Sequence, residues 1–282
     1  MINQEQQLKQ IVENINKKQK TKIITVSSGK GGVGKTNFAV NLAIGYAKLG
    51  KKVIVMDADL GLANVNVILG VIPKYNLYHV IKNKKPLKEI VLDTQYGIKI
   101  IAGASGFSQL ANLTDEQREN FINSLSELEF ADIIIIDTGA GVSNNVLSFI
   151  LAADETIIIT TPETTAITDA YGIIKSIYAL DKDIPIKLVI NKCNSISEGK
   201  RVADRIINIS FQFLSIKVEN LGFIMNDEIV EKAVKVQKPF YILNPKSKAS
   251  ICIDHVLSQL ENINVIEGKG INNFLKKYLK YS

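Results

Sequence analysis

Gly29-Lys30-Gly31-Gly32-Val33-Gly34-Lys35-Thr36, preceded by the apolar run Ile23-Ile24-Thr25-Val26 and followed by a segment of helical period from Asn37 to Lys48, decides the fold. In the pattern G-x-x-x-x-G-K-[ST] the glycines let backbone N–H groups turn around phosphate oxygens, and the helix that follows adds its partial positive charge. Lys35 is expected to reach the β- and γ-phosphates of a nucleotide, and Thr36 to place its hydroxyl on Mg²⁺. The strand before and the helix after supply the context in which the pattern has physical meaning. Gly29, Gly31, Gly32, Val33, Gly34 and Asn37 are expected to line the nucleotide with them.

Outward from this loop, strand-like apolar runs recur at Lys22–Ser27, Val53–Asp57, Ile98–Ala102, Asp132–Asp137, Glu155–Thr160, Ile186–Asn191 and Leu221–Met225. Segments of helical period, such as Thr114–Leu128 and Thr165–Leu180, separate most of them. Alternating strands and helices, with strands apolar on both faces, predict an α/β fold of the P-loop NTPase type: a mainly parallel twisted sheet with helices on both faces. The 282 residues, 46% of them hydrophobic, suffice for one sizeable core.

The longest apolar stretches, Ile133 to Ile136 and Val146 to Ala153, fall far short of the roughly 18 residues needed to span a bilayer. Residues 1–20 are polar, without the pattern of a secretory signal. A cytoplasmic protein is expected. Two cysteines without C-x-x-C spacing and two histidines support neither zinc nor an iron–sulfur cluster within one chain. The net charge of +6 is spread through Lys/Asn/Ile-rich sequence without aromatic interleaving, which reads as a solvated lysine surface rather than a nucleic-acid face.

Ligands of open α/β sheets gather at the carboxyl ends of strands. Two runs place acids there: Val53-Ile54-Val55-Met56-Asp57-Ala58-Asp59, and Ile133-Ile134-Ile135-Ile136-Asp137-Thr138-Gly139-Ala140-Gly141. A carboxylate after four aliphatic residues is a Walker B pattern, so Asp137 is expected to hold Mg²⁺ through water. Gly139 and Gly141 suit a loop whose backbone changes when a γ-phosphate leaves.

The second lysine, Lys30, makes the loop resemble the deviant Walker A motif of the MinD/ParA family of dimerising ATPases. That resemblance implies that Lys30 crosses a dimer interface to the partner's ATP, that Asp59 orients the attacking water and that Asp57 lies near the Mg²⁺ shell. It also implies that Asn191 meets the adenine and that Glu163 reaches the partner's ribose. Further motifs narrow the likeness to the FlhG (YlxH/FleN) family, which sets the location and number of bacterial flagella. They are Asp57-Ala-Asp-Leu-Gly-Leu-Ala-Asn64, Asp137-Thr-Gly-Ala-Gly141, Thr161-Pro-Glu-Thr-Thr-Ala-Ile-Thr-Asp-Ala-Tyr171 and Asp227-Glu-Ile-Val-Glu-Lys-Ala-Val234. MinD proper usually carries serine and proline where Thr138 and Gly139 stand.

Both ends carry amphipathic periodicity. Leu8, Ile11, Val12 and Ile15 predict a short helix within residues 1–20. By resemblance this segment, with Asn3, Gln4, Glu5, Leu8 and Lys9 at the family's activating positions, stimulates an FlhF-like GTPase. An ATPase domain is expected over residues 21–266. In the terminal segment 267–282, Ile271, Phe274, Leu275, Tyr278 and Leu279 form an apolar stripe opposite Lys276, Lys277 and Lys280. It resembles a membrane-targeting helix for an anionic inner membrane face, and the same periodicity also suits a helix packed on the domain's own core.

The site motifs predict an ATP-binding α/β protein, and the resemblance implies a slow, Mg²⁺-dependent ATP hydrolase whose ATP-bound homodimer attaches to membrane and engages FlhF and flagellar basal-body or C-ring components. A ParA-like DNA-partition ATPase, a MinD-like division-site regulator and a small-molecule phosphotransferase of the same fold are the competing readings.

Overall fold

A computed structural model describes residues 20–59, 64–82, 84–103, 124, 126–262 and 268–281. The expected N-terminal helix, and most of the one expected at Thr114–Leu128, lie outside the described residues.

Eight strands form one sheet among the described residues: β1 (Lys22–Ser28), β2 (Val53–Ala58), β3 (Val91–Asp93), β4 (Lys99–Ala102), β5 (Ile133–Ala140), β6 (Glu155–Thr160), β7 (Ile186–Cys193) and β8 (Val218–Met225). Their spatial order is β3-β4-β2-β5-β1-β6-β7-β8, and every neighbouring pair is parallel except β3 with β4. Residues of one strand alternate between two cores. Val53, Val55, Ile133 and Ile135 face one side, and Ile54, Met56, Ile134 and Ile136 the other.

The first side is covered by α1 (Lys35–Lys48) and α10 (Lys248–Asn262). On the other side lie α5 (Asn144–Ala152), α6 (Thr164–Leu180), α7 (Ile196–Leu214) and α11 (Ile271–Tyr281). Shorter helices, α2 (Val65–Leu69), α3 (Leu77–Ile81), α4 (Leu87–Ile90), α8 (Glu228–Lys235) and α9 (Phe240–Leu243), fill the connections.

Both edges of the sheet are blunted. One is the three-residue, antiparallel β3. The other, β8, carries a bulge: Leu188 pairs with Asn220 and Val189 with Gly222, whose φ is 122° and whose N–H donates to Asn220 Oδ1 at 2.9 Å.

At the amino ends of β1, β6 and β7 three charges are packed away from water. Glu155, fully inaccessible, meets Lys22 Nζ at 3.1 Å and Lys187 Nζ at 2.9 Å. Just before β6, Asp154 accepts the Ile23 N–H at 2.9 Å and the Lys269 N–H at 3.1 Å, so the C-terminal segment is tied into the base of the sheet.

That tie bears on the terminal segment. The helix expected there exists, and in the single chain its stripe is turned inward: Ile271, Phe274, Leu275 and Tyr278 are all buried. The Tyr278 ring lies 4.7 Å from that of Phe149 on α5, and its hydroxyl donates to Asn145 Oδ1 at 2.8 Å. Gly270 N–H also donates to Thr21 O at 3.2 Å. The boundary expected at 267 therefore separates no free helix. A 3.6-residue apolar repeat satisfies a core as well as a membrane, and here it is the sheet's own face that it covers.

Candidate functional site

The loop between β1 and α1 runs Gly29 to Gly34, with Gly32 at φ 76° and Gly34 at φ 94°. Both are left-handed values that a side chain resists. α1 follows Gly34 without a side-chain cap, which leaves its first N–H groups without a side-chain acceptor, as anion binding requires. Gly29 is small for a different reason: a Cβ there would meet the backbone oxygen of Asp169 on α6 at 2.2 Å.

Lys35 is almost inaccessible, and its Nζ lies 3.3 Å from Asp137 Oδ1. Asp137 is fully buried at the end of β5, directly opposite Asp57 in the pairing of β2 with β5. Like charges facing across a sheet repel. Burial, followed by the charge of Asp137, pushes Asp57 up to about 6 against the pull of three backbone N–H groups. Burial likewise raises Asp137, while Lys35 and the Thr36 hydroxyl draw it down. Asp137 Oδ2 has no hydrogen-bond partner among the described residues.

An orphaned carboxylate oxygen beside a threonine hydroxyl is a donor set suited to Mg²⁺, which takes one or two protein oxygens and completes its shell with water and phosphate. Consistent with so sparse a site, no cluster of three or more His, Cys, Asp or Glu side chains able to hold a metal exists among the described residues. Thr36 and Asp137 thus fit the metal expected of them. Asp57 lies opposite Asp137, and its two oxygens accept the N–H groups of Asp59 at 3.1 Å, Asn64 at 2.9 Å and Val65 at 3.2 Å, which ties the end of β2 to the start of α2. Asp59 lies nearby, its Oδ1 3.8 Å from where a Cβ on Gly139 would sit.

Lys30 and Lys35 have different partners. Lys30 Nζ donates to Glu163 Oε2 at 2.8 Å and to Thr165 Oγ1 at 2.9 Å, at the start of α6. The ammonium beside Glu163 holds its carboxyl below the usual range. The two residues expected to reach a second copy are therefore paired with each other in the single chain.

Asn191 is also occupied otherwise than expected. Its Nδ2 donates to Val33 O at 2.7 Å, and its Oδ1 accepts the Lys192 N–H at 2.9 Å. Beside it opens a cavity of about 450 Å³, lined by Asn37, Phe38, Asn191, Asn226, Asp227 and Val230 among others. Its size and largely apolar wall suit a nucleobase. Asp227 is a structural member of that wall, since its oxygens accept the Ile229 and Ala249 N–H groups at 3.1 Å each. Sequence reasoning missed Thr165, Lys192 and Asn226. Thr165 lies within the Thr161–Tyr171 motif but carried no assigned role there, and only the ends of β7 and β8 bring the last two to the loop.

A family model described as an AAA domain matches residues 21–190. The chain is 37% identical over 241 residues to the antiactivator FleN of Pseudomonas aeruginosa, covering 85% of this chain and 86% of that protein. It is 36% identical to the flagellum site-determining protein YlxH of Helicobacter pylori, covering 93% and 90%. Among solved structures, the septum site-determining protein MinD of Pyrococcus horikoshii complexed with Mg-ADP superposes with a TM-score of 0.70 at 25% identity, covering 88% of this chain and 99% of that one.

Proposed function

Because the chain belongs to the FlhG (YlxH/FleN) group of MinD/ParA-type ATPases, we propose that it is an ATP-driven dimerising switch that sets where and how many flagella are built. The observation that carries this reading is the buried Lys35–Asp137 pair, with its orphaned oxygen, at the mouth of a glycine loop that opens onto an uncapped helix.

In this reading Lys35 and the loop's N–H groups hold the phosphates, Thr36 and Asp137 hold Mg²⁺, and the cavity beside Asn191 takes the base. Mg²⁺, when bound, neutralises charge on the phosphate oxygens. Phosphoryl transfer asks mainly for positioning and charge stabilisation, so one carboxylate, Asp59, aiming a water suffices for slow turnover. Lys30 leaves Glu163 and crosses to the nucleotide of a second copy, and Glu163 is then free to meet the partner's ribose.

Light scattering on size-exclusion eluates tests the switch. Wild type should be dimeric in Mg-ATP and monomeric in Mg-ADP, Asp59→Ala should stay dimeric longer, and Lys30→Ala should not dimerise. A wild type that stays monomeric in Mg-ATP refutes it.

The flagellar role is supported by the two flagellar relatives and by Thr138-Gly139 after Asp137. A strain carrying Lys35→Ala should show altered flagellar number or placement in electron micrographs. Unchanged counts and positions would refute that role. An FlhF-like GTPase and basal-body components are the proposed partners, and a peptide of residues 1–20 that leaves the GTPase rate unchanged would remove the first. Membrane attachment by the dimer through α11 requires that helix to leave its seat on Phe149. Co-sedimentation with anionic vesicles in Mg-ATP but not Mg-ADP is the expected result, and equal pelleting in both would overturn it.

A further inference from the structure

We infer that Lys192 is a positioning residue that pins the phosphate loop open for its ligand; the inference rests on the nucleotide reading above. Lys192 has φ 57°, one of three left-handed non-glycine residues among the described residues. A lysine adopts that region only where its surroundings hold it there. What the conformation achieves is a reach across to the loop: Nζ donates to Gly32 O at 3.0 Å. Its neighbour Asn191 donates to Val33 O at 2.7 Å. The end of β7 thus holds two consecutive carbonyls of the loop.

In a trans peptide the carbonyl and the following N–H point in opposite directions. Drawing the Gly32 and Val33 carbonyls toward β7 therefore turns the N–H groups of Val33 and Gly34 away from it. Successive N–H groups aimed to one side are what an anion-binding nest requires. The approach is close enough to dictate the sequence of the loop, because a Cβ on Gly34 would lie 2.3 Å from Asn191 Nδ2. Lys192 also borders the base cavity. A lysine that merely contacts the base, or one that is simply solvated, is the competing outcome.

The full chain and three variants separate these outcomes by equilibrium binding of tripolyphosphate, ATP and adenosine. Lys192→Met keeps the stem and removes the donor, Lys192→Arg restores a donor, and Lys192→Gly relieves the backbone while removing the pin. Tripolyphosphate and ATP should bind about fivefold more weakly to the Met and Gly variants, the scale of one lost hydrogen bond. Adenosine binding and the melting temperature should match wild type, and Arg should recover most of the loss. Unchanged tripolyphosphate affinity in Lys192→Met, a loss on adenosine equal to that on ATP, or wild-type binding by Lys192→Gly would each overturn the inference. If wild type itself binds neither tripolyphosphate nor ATP, the nucleotide reading falls and this inference with it.

Discussion

The sheet buries charge at both of its ends, and the two clusters are built to opposite rules. At the amino ends of β1, β6 and β7, Glu155 sits between Lys22 and Lys187, one anion between two cations. At the carboxyl ends of β2 and β5, Lys35 pairs with Asp137, Asp57 lies directly opposite Asp137, and one Asp137 oxygen is left over. The first cluster is balanced in charge by the chain itself, through ion pairs that lack hydrogen-bond geometry, beside the strap from Asp154 to Lys269. The second is incomplete, with an excess of negative charge and a loop of open N–H groups beside it. Burial of charge alone therefore says little about function; what marks the ligand end is the partner that the fold does not supply.

The sharpest test of the closed end removes what is strapped to it. Truncation after Gly270 deletes Ile271, Phe274, Leu275 and Tyr278, each a buried side chain worth about 1.5–3 kcal/mol. The shortened chain should lose its cooperative urea transition; one that unfolds like the full chain would show α11 to be dispensable. Next in size, Glu155→Ala strands two lysines in the core and should cost about 3–5 kcal/mol by urea denaturation. A loss under 1 kcal/mol would mean that water reaches the cluster, and the contrast between the ends would fail.

The open end should respond to ligand instead. At about 100-fold excess over its dissociation constant, Mg-ADP should stabilise wild type by ~2.7 kcal/mol. Removing Mg²⁺ with EDTA, or replacing Asp137 by Asn, should abolish most of that gain. The ligand-free Asp137→Asn variant should lose clearly less stability than Glu155→Ala, because relief of the repulsion facing Asp57 offsets part of the loss of Lys35's charged partner. A ligand-free loss as large as that of Glu155→Ala would make Asp137 a structural residue like Glu155. Tyr278→Phe should lose about 1 kcal/mol, the scale of the hydroxyl's bond to Asn145. At the smallest scale, Glu163→Gln weakens an exposed pair and should leave the melting temperature unchanged.

The two ends also differed in how far the sequence revealed them. The glycine loop, Lys35 and Thr36 were legible because their spacing to one another and to a strand is fixed, and Asp137 because it follows four aliphatic residues of a strand. Glu155 and Lys187 were not, since a charged residue beginning an apolar run looks the same whether it ends in water or in a buried pair. β3 escaped notice because Val91-Leu92-Asp93 is too short to show a period, and the start of β8 because Glu219 and Asn220 interrupt its apolar run. Asn191 borders the cavity proposed for the base, yet its main partner is a loop carbonyl, and side-chain partners across 158 positions leave no trace in local sequence. The apolar stripe of α11 was read correctly as a stripe. What it covers is decided by Phe149, more than 120 residues earlier in the chain.

The blunted edges of the sheet carry a consequence for association. Open edges invite strand-by-strand zipping between copies, and a bulge or a very short edge strand discourages it. With three residues at β3 and the Gly222 bulge interrupting β8, the sheet edges among the described residues offer crowded copies no long uninterrupted ladder to extend. Raising its concentration, even on a surface, should favour reversible contacts between side chains over fibre growth.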